Sequence, residues 1–338
     1  MWKRIGACDH MDHLHPDNVV EEIPGLLKVY KDGHIERIPT MPEVPCTWTT
    51  GVGDVTSFDV PLNNRIGLWV RFYVPNREAK LPLLVYFHGG GFCVGSATWR
   101  CYHEFLARLA SAAGCLIMSV NYRLAPENRL PAAYDDGLEA TKWLRHQANC
   151  DTELGFSSWQ RSCDFSQVLL GGDSAGGSIA FHVAAELGLP DWLRGLVLIQ
   201  PFFGGEKRTS SEKKNEHNAK CVLSLAASDC YWRLALPSGA DRDHPWCNPL
   251  SKSSSPWLES LKLPPMFVCI SEMDVLKDRE VEFCEATRRA GKRVEYAIHD
   301  GVGHAFQVLG KSHASKIRTE EMIAGVTAFV NKTTESHI

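Results

Sequence analysis

The feature that most limits how this chain can fold is a glycine-rich segment at residues 171–177, Gly-Gly-Asp-Ser-Ala-Gly-Gly. A short apolar run precedes it, and a stretch with helical character follows. A serine on so sharp a turn between a strand and a helix needs neighbours without a Cβ, and Gly172 and Gly176 supply them. The segment therefore predicts a strained turn that presents Ser174 as a nucleophile. An ordinary small-residue turn of an α/β protein is the alternative.

Short apolar runs alternate with helical stretches along most of the chain. This alternation predicts a mainly parallel sheet with helices on both faces. A further strand at 68–74 is expected near the edge of the sheet, and a hairpin is expected around the turn at 31–33. The runs that predict buried strands lie at 83–87, 116–120, 168–170, 196–199, 266–270 and 294–298.

Three chemically useful side chains each follow the end of a predicted strand. They are Ser174, Asp274 and His304. Because the carboxyl ends of parallel strands meet along one edge, we expect the three residues to lie close together. Each also has an ordinary interpretation: Asp274 as a helix cap or as part of a solvated turn with Asp278, and His304 as a structural histidine.

A run of three glycines, residues 89–91, follows the strand predicted at 83–87. Consecutive glycines cost backbone entropy, so a loop of this kind is expected to have a purpose. Bare N–H groups held against a ligand oxygen would provide one. A flexible loop and a phosphate-binding turn are the alternatives, and the second is disfavoured because no Gly-Lys-Ser/Thr sequence follows.

Composition excludes several classes of function. The net charge of −4 offers no basic surface for nucleic acid, and the apolar runs are too short to span a membrane. The twelve cysteines are scattered without a Cys-x-x-Cys pair, and the N-terminus lacks the apolar core of a signal peptide. We therefore expect reduced thiols and a location in the cytoplasm, extending to the nucleus. No metal-ligand cluster or cofactor motif is found, so neither is expected.

These motifs together resemble the plant carboxylesterases of the hormone-sensitive-lipase branch of the α/β-hydrolases. The resemblance extends from about Val20 to the C-terminus. It implies an α/β-hydrolase fold with a mostly parallel central sheet flanked by helices. Residues 1–338 contain no repeat or linker and therefore predict a single domain. The segments at about 1–45 and 204–235 precede or interrupt the alternation of strands and helices, so we expect them to form a cap, or lid, over the active site. The motifs that carry the resemblance are His-Gly-Gly-Gly-Phe at 88–92, Tyr-Arg-Leu-Ala-Pro-Glu at 122–127, residues 172–177, Asp274 with Asp278, and Gly-His-Ala-Phe at 303–306.

The activity that the resemblance implies is hydrolysis of small carboxylic esters through an acyl-enzyme. Ser174 would be the nucleophile, His304 the base, and Asp274 the group that orients the imidazole. The oxyanion would be bound by the N–H groups of three residues: Gly89, Gly90 and Ala175. Related plant proteins include hormone receptors without the catalytic histidine and dehydratase-like members without the serine. A receptor and a lyase therefore remain the alternatives, although this chain keeps both residues.

The expected partner is a small-molecule ester, with no nucleic acid and no membrane span. The natural ester and the oligomeric state do not follow from the sequence. Apolar residues of the cap region and the histidine loop are candidates to line the substrate pocket, with ordinary core packing as the equally open alternative. These candidates are Phe202, Phe203, Tyr231, Trp232 and Val302.

Overall fold

The first three strands form a small antiparallel sheet of their own. They are β1 (Val19–Ile23), β2 (Leu27–Tyr30) and β3 (Ile35–Arg37), in the order β1-β2-β3. The hairpin predicted around residues 31–33 joins β2 to β3. These strands come from a computed structural model that describes residues 18–47, 54–149, 158–215, 222–251 and 255–335. The first 17 residues, part of the predicted cap, lie outside the described residues.

The seven strands predicted for the main sheet form one sheet together with an eighth, β4, in the order β11-β10-β9-β8-β6-β7-β5-β4. Neighbouring strands from β7 through β6 to β11 pair in parallel, whereas β5 is antiparallel to both β7 and β4. The mainly parallel sheet is thus confirmed. The strands are β4 (Val55–Asn63), β5 (Leu68–Pro75), β6 (Leu81–Phe87), β7 (Leu116–Asn121), β8 (Cys163–Asp173), β9 (Leu193–Ile199), β10 (Met266–Ser271) and β11 (Val294–His299).

Helices cover both faces of this sheet. Successive side chains of a strand point to opposite faces, so Leu83 and Val85 of β6 belong to one core and Leu84 and Tyr86 to another. Residues of α2, α4 and α8 pack in the first core, and residues of α1 and α10 in the second. The helices are α1 (Arg100–Ala113), α2 (Ala132–Asn149), α3 (Ser158–Ser162), α4 (Ala175–Leu187), α5 (Ser210–Asn215), α6 (Leu225–Ala235), α7 (Ser255–Ser260), α8 (Lys277–Arg289), α9 (Phe306–Leu309) and α10 (His313–Glu335).

The edge of the sheet differs from the prediction. β5 lies near the edge as expected, but β4, which the sequence did not reveal, lies outside it. β4 contains Asp59 and Pro61, residues typical of an edge strand and unfavourable to a strand prediction. Asp59 compensates by binding the buried guanidinium of Arg71 in β5, at 2.7 Å from Nε and 2.9 Å from Nη2.

Candidate active site

The turn between β8 and α4 has the strained geometry that its glycines suggested. Ser174 has φ 52° and ψ −121°, values that a residue with a side chain rarely adopts. A Cβ on Gly176 would lie 1.9 Å from the carbonyl oxygen of Phe87, and one on Gly172 would lie 2.5 Å from the same oxygen. Strand β6 therefore packs against this turn so closely that only glycine fits at these two positions.

The structure brings Ser174, Asp274 and His304 into one chain of hydrogen bonds. His304 Nε2 lies 2.8 Å from Ser174 Oγ, and His304 Nδ1 lies 2.6 Å from Asp274 Oδ2. The second carboxylate oxygen of Asp274 accepts the N–H of Leu276 at 3.1 Å, which fixes the orientation of the carboxylate. All three side chains are buried. The expectation that strand ends would gather these residues thus matches the geometry.

Asp278, the other carboxylate considered beside Asp274, faces away from this chain. Its Oδ2 accepts the N–H of Ser211 at 2.7 Å, and its own N–H donates to Ser211 Oγ at 3.2 Å. Ser211 belongs to α5, so Asp278 fastens the start of α8 to the segment that follows β9. Its contacts are structural.

The charges around His304 favour its protonated form. Burial by itself would lower the pKa of the imidazole, but the charge of Asp274, its hydrogen bond and the charge of Asp173 together raise that pKa above its usual value. An imidazole with these neighbours can accept the proton of Ser174 and hold it while charge develops on the substrate.

Asp173 holds the glycine loop, and this corrects the role predicted for Gly89. The N–H of Gly89 donates to Asp173 Oδ1 at 3.0 Å and to the hydroxyl of Tyr102 at 2.8 Å, so it has no freedom to meet an oxyanion. The same carboxylate accepts the hydroxyl of Tyr86 at 2.8 Å. Burial raises the pKa of Asp173 to about 6, although these hydrogen bonds oppose the shift. Among the hydrogen bonds of the described residues none joins Asp173 to His304, and the Nδ1–H of His88 donates to the carbonyl oxygen of Gly89 at 2.8 Å, within the loop itself.

Gly90 and Gly91 differ from Gly89 in their hydrogen bonding. Both line the cavity that Ser174 opens into, and within the described residues neither N–H has a hydrogen-bond acceptor. Their φ values of 117° and 57° suit glycine. A Cβ on Gly91 would lie 2.3 Å from the ring of Tyr231, so helix α6 rests directly on this loop.

The cavity beside Ser174 has a volume of about 120 Å³ and mostly apolar walls. Two of the predicted lining residues, Phe202 and Tyr231, are part of these walls. The other three lie elsewhere: Trp232 is buried and stacks on Phe202 with ring centres 4.7 Å apart, Phe203 packs against Phe283 at 4.7 Å, and Val302 is buried in the core. Trp232, Phe203 and Val302 therefore pack in the core, which was the alternative to lining the substrate pocket.

Several lining residues were not singled out from the sequence. Leu26 and Met41 come from the N-terminal segment, Trp99 and Tyr102 from the start of α1, and Leu223 from the segment before α6. Their general location could be foreseen, because Leu26, Met41 and Leu223 fall within the segments expected to form a cap. Their individual identity had no local signal, since an apolar residue facing a cavity has the same pattern as one facing a core.

The segments around the cavity are fastened to each other and to the glycine loop. Glu21 of β1 accepts two hydrogen bonds from the guanidinium of Arg233 in α6, each 2.9 Å long. Arg37 of β3 donates to the carbonyl oxygen of Cys93, just beyond the glycines, at 2.8 Å, and it binds the carboxylate of Glu127 through two hydrogen bonds of 2.6 Å. The small N-terminal sheet is thus joined to both α6 and the loop.

A strained serine, a histidine and an aspartate at the C-terminal edge of a mainly parallel sheet, in the order Ser, Asp, His, define the class of α/β-hydrolases. Comparison with known proteins identifies the family of the chain more closely. A family profile described as alpha/beta hydrolase fold matches residues 84–308. The chain is 47% identical over 337 residues to a protein of Arabidopsis thaliana named probable carboxylesterase 6, covering 95% of this chain and 96% of that one.

The chain is also similar to a plant dehydratase and to an esterase of known structure. The chain is 34% identical to 2-hydroxyisoflavanone dehydratase of Glycyrrhiza echinata, covering 91% of this chain and 95% of that one. A crystal structure of an esterase from Pyrobaculum calidifontis has a TM-score of 0.68 at 26% identity, covering 82% of this chain and 85% of that one. The chain belongs to the α/β-hydrolase family, among the plant carboxylesterases that resemble hormone-sensitive lipase.

Proposed function

We propose that this protein is a serine carboxylesterase that hydrolyses small carboxylic esters through an acyl-enzyme intermediate. The observation that carries the proposal is the hydrogen-bond chain from Asp274 through His304 to Ser174, with lengths of 2.6 and 2.8 Å, beside an apolar cavity. A serine is a weak nucleophile until an oriented base takes its proton, and this chain supplies both base and orientation. The similarity to a named carboxylesterase supports the same conclusion.

In the acylation step, His304 Nε2 takes the proton of Ser174 Oγ while Oγ forms a bond to the carbonyl carbon of the ester. The carbonyl π electrons move to oxygen, which we expect the N–H groups of Gly90, Gly91 and Ala175 to bind. Collapse of this intermediate breaks the bond to the alcohol oxygen, and His304 gives that oxygen its proton. Water, activated by His304, then attacks the acyl group, and the acid leaves with Ser174 restored.

Three N–H groups support this oxyanion site. Ala175 is the first residue of α4, so its N–H lies at the positive end of that helix. In the described ranges the N–H groups of Ala175, Gly90 and Gly91 donate to no protein acceptor. Donors held ready for a developing charge contribute most to such reactions, and the loss of one typically costs about 100- to 1,000-fold in kcat.

A cap over the site, from segments of 1–45 and 204–235, belongs to the same proposal. Its support is that Leu26, Met41 and Leu223 line the cavity and that Glu21 and Arg233 join β1 to α6. Such a cover would exclude water and select the substrate. Residues 1–17 and 216–221 of the predicted cap lie outside the described residues.

The cavity suggests the size of the group bound next to Ser174. A volume of about 120 Å³ is small beside the roughly 300–1,000 Å³ of pockets that hold drug-sized ligands, which suits a short acyl or alcohol group. An adjoining depression of about 610 Å³ shares five wall residues with the cavity and offers room for a larger second group. We therefore propose a small-molecule ester with one short arm as the partner.

The test combines turnover with covalent labelling. Wild-type protein should hydrolyse p-nitrophenyl acetate and form an adduct at Ser174 with a fluorophosphonate probe, whereas Ser174→Ala should do neither while keeping its fold. A second candidate, a lyase, is favoured by the dehydratase among the relatives. A lyase would use His304 without an acyl-enzyme, so the absence of ester hydrolysis in wild type, together with dehydration of 2-hydroxyisoflavanone that survives in Ser174→Ala, would replace the esterase proposal with this one.

A cytoplasmic location, extending to the nucleus, remains part of the proposal. The nine cysteines of the described residues are all free, as expected in a reducing compartment. In the ranges that the structure covers, no helix has the length and apolar character needed to cross a membrane. Two relatives from Tulipa gesneriana are named chloroplastic, so microscopy of a fluorescent fusion should distinguish the plastid from the cytoplasm.

A further inference from the structure

A buried glutamine connects the strand ends that carry the proposed catalytic residues. Gln200 follows β9 directly, is fully buried, and has a φ of 47°. A residue other than glycine in this left-handed region is uncommon, and such strain is often found near functional sites. Any residue with a side chain would bear the same strain at this position, so the strain does not explain why the residue is a glutamine. The hydrogen bonds of its side-chain amide do.

Both the oxygen and the nitrogen of that amide form hydrogen bonds. Gln200 Oε1 accepts the N–H of Ala305 at 2.7 Å, and Nε2 donates to the hydroxyl oxygen of Ser271 at 2.6 Å. Because the N–H of Ala305 can only donate, the amide oxygen must face it, and this settles which end of the amide is which. One side chain therefore spans the gap between the loop after β11 and the end of β10.

Each end of this bridge acts next to a member of the hydrogen-bond chain. The N–H of Ala305 belongs to the peptide bond that directly follows His304, so the bond to Gln200 holds the backbone of the histidine. Ser271 is the last residue of β10, and its carbonyl oxygen accepts the N–H of Asp274 at 3.2 Å. The backbone adds a third link, because the carbonyl oxygen of Ile199, immediately before Gln200, accepts the N–H of Ser174 at 2.8 Å.

We propose that Gln200 is a positioning residue, whose buried amide holds the His304 loop against the end of β10 so that the imidazole stays aligned between Asp274 and Ser174. This inference rests on the proposed function. Within the described residues the side chain of Gln200 hydrogen-bonds to neither the imidazole nor Ser174 Oγ, so it acts through the two loops. Displacement of a catalytic group by about 1 Å can cost about 100-fold in rate, which is the size of effect expected here.

The chain offers a matched control in Gln307. It is also a buried glutamine, it lies in α9 two residues after Ala305, and its side-chain amide has no hydrogen-bond partner in the described part of the chain. Gln307→Leu therefore removes a buried amide from the same region without cutting a link to the catalytic loops. Gln200→Leu makes the same chemical change and cuts two links. Gln200→Glu keeps an acceptor for Ala305, and the Ser271 hydroxyl can turn to donate to the second carboxylate oxygen.

The experiment measures kcat and KM for p-nitrophenyl acetate and the pH dependence of kcat/KM. Gln200→Leu should lower kcat by about 10- to 100-fold with KM within about threefold, while Gln307→Leu should stay within about threefold in both. The acid limb of the profile reports protonation of His304, on which Asp274 and Asp173 act. In Gln200→Leu the hydrogen bond between His304 and Asp274 loosens, so the acid limb should move to lower pH. Gln200→Glu adds a negative charge, so its acid limb should move to higher pH.

Equal losses of kcat in Gln200→Leu and Gln307→Leu, or a change in KM alone, would overturn the proposal. If Gln200→Leu does not fold, Ser271→Ala decides, because it removes the hydroxyl that Gln200 Nε2 binds; a kcat within about threefold of wild type in that variant counts against the positioning role. The downfield proton NMR signal of His304 Nδ1–H gives a readout that does not depend on turnover. If wild-type protein shows no hydrolysis and no labelling, the esterase proposal fails, yet loss of this signal in Gln200→Leu but not in Gln307→Leu would still support the role of Gln200.

Discussion

The ion pair between Arg279 and Glu212 should be among the most sensitive points of the fold. Arg279 donates from Nε and Nη2 to the two oxygens of the Glu212 carboxylate, at 2.7 and 3.0 Å, and both side chains are buried. Its remaining donors reach the carbonyl oxygens of Gly204, Gly205 and Lys207. Glu212→Ala leaves a buried guanidinium without its counter-charge. Removal of one partner from a buried pair costs about 3–5 kcal/mol in the free energy of unfolding.

That loss is large enough to measure by thermal unfolding. An unfolding entropy of about 2.1 cal/mol/K per residue implies that Tm falls by about 1.4 °C per kcal/mol in a chain of 338 residues. Glu212→Ala should therefore lower Tm by about 4–7 °C in a calorimetric scan. The matched control is Glu295→Ala, which breaks an exposed pair with Lys332 and should cost at most about 1 kcal/mol.

A third variant separates the lost charge from lost packing. Glu212→Gln keeps the size of the side chain and an oxygen that can accept from Arg279, and it removes only the negative charge. Because the guanidinium then keeps part of its hydrogen bonding, Glu212→Gln should be more stable than Glu212→Ala and less stable than wild type. Equal Tm values for Glu212→Ala and Glu295→Ala, or a Glu212→Gln variant less stable than Glu212→Ala, would refute the assignment of this pair as a stabilising link between α5 and α8.

Three further outcomes follow from the site. Asp274→Asn should lower kcat by roughly 10⁴-fold because the amide favours the wrong imidazole tautomer, whereas Asp278→Asn should leave kcat nearly unchanged; the reverse result would exchange their roles. Ester hydrolysis should rise with pH through the raised pKa of His304, since only the neutral imidazole accepts a proton, and kcat/KM profiles should show this limb above the usual histidine range. Gly91→Ala should reduce acylation of Ser174 by a fluorophosphonate strongly, because its Cβ would meet Tyr231; labelling at the wild-type rate would contradict this geometry.

The positions of Ser174, Asp274 and His304 could be predicted from the sequence because each follows an apolar strand of a parallel sheet. Topology then determines that such residues meet at one edge, without knowledge of any side-chain contact. The identity of the oxyanion donors could not be predicted in this way. The direction of an N–H group in a glycine run depends on the φ values of the loop, and the acceptor that engages Gly89 is Asp173, 84 positions away.

Two other features lacked a local signal for related reasons. β4 carries an aspartate and a proline, and its own pattern does not show that the aspartate, Asp59, pairs with the buried Arg71 of β5. Gln200 is a polar residue at the end of an apolar strand, and nothing in the sequence shows that it has a positive φ or that its amide joins the end of β10 to the loop after β11. Patterns of apolar residues predict elements, whereas contacts between distant loops determine how a site is assembled.

The contact between Gly91 and Tyr231 also limits how substrate preference can change. Because the ring of Tyr231 rests on the glycine loop, a larger residue at position 91 or 231 would move the proposed oxyanion donors as well as the roof of the cavity. Leu26 and Leu223 line the same cavity from segments outside the glycine loop. Variation in which esters are accepted should therefore accumulate at such walls, while the part of the roof above the glycines stays constant because it also sets the geometry of the reaction.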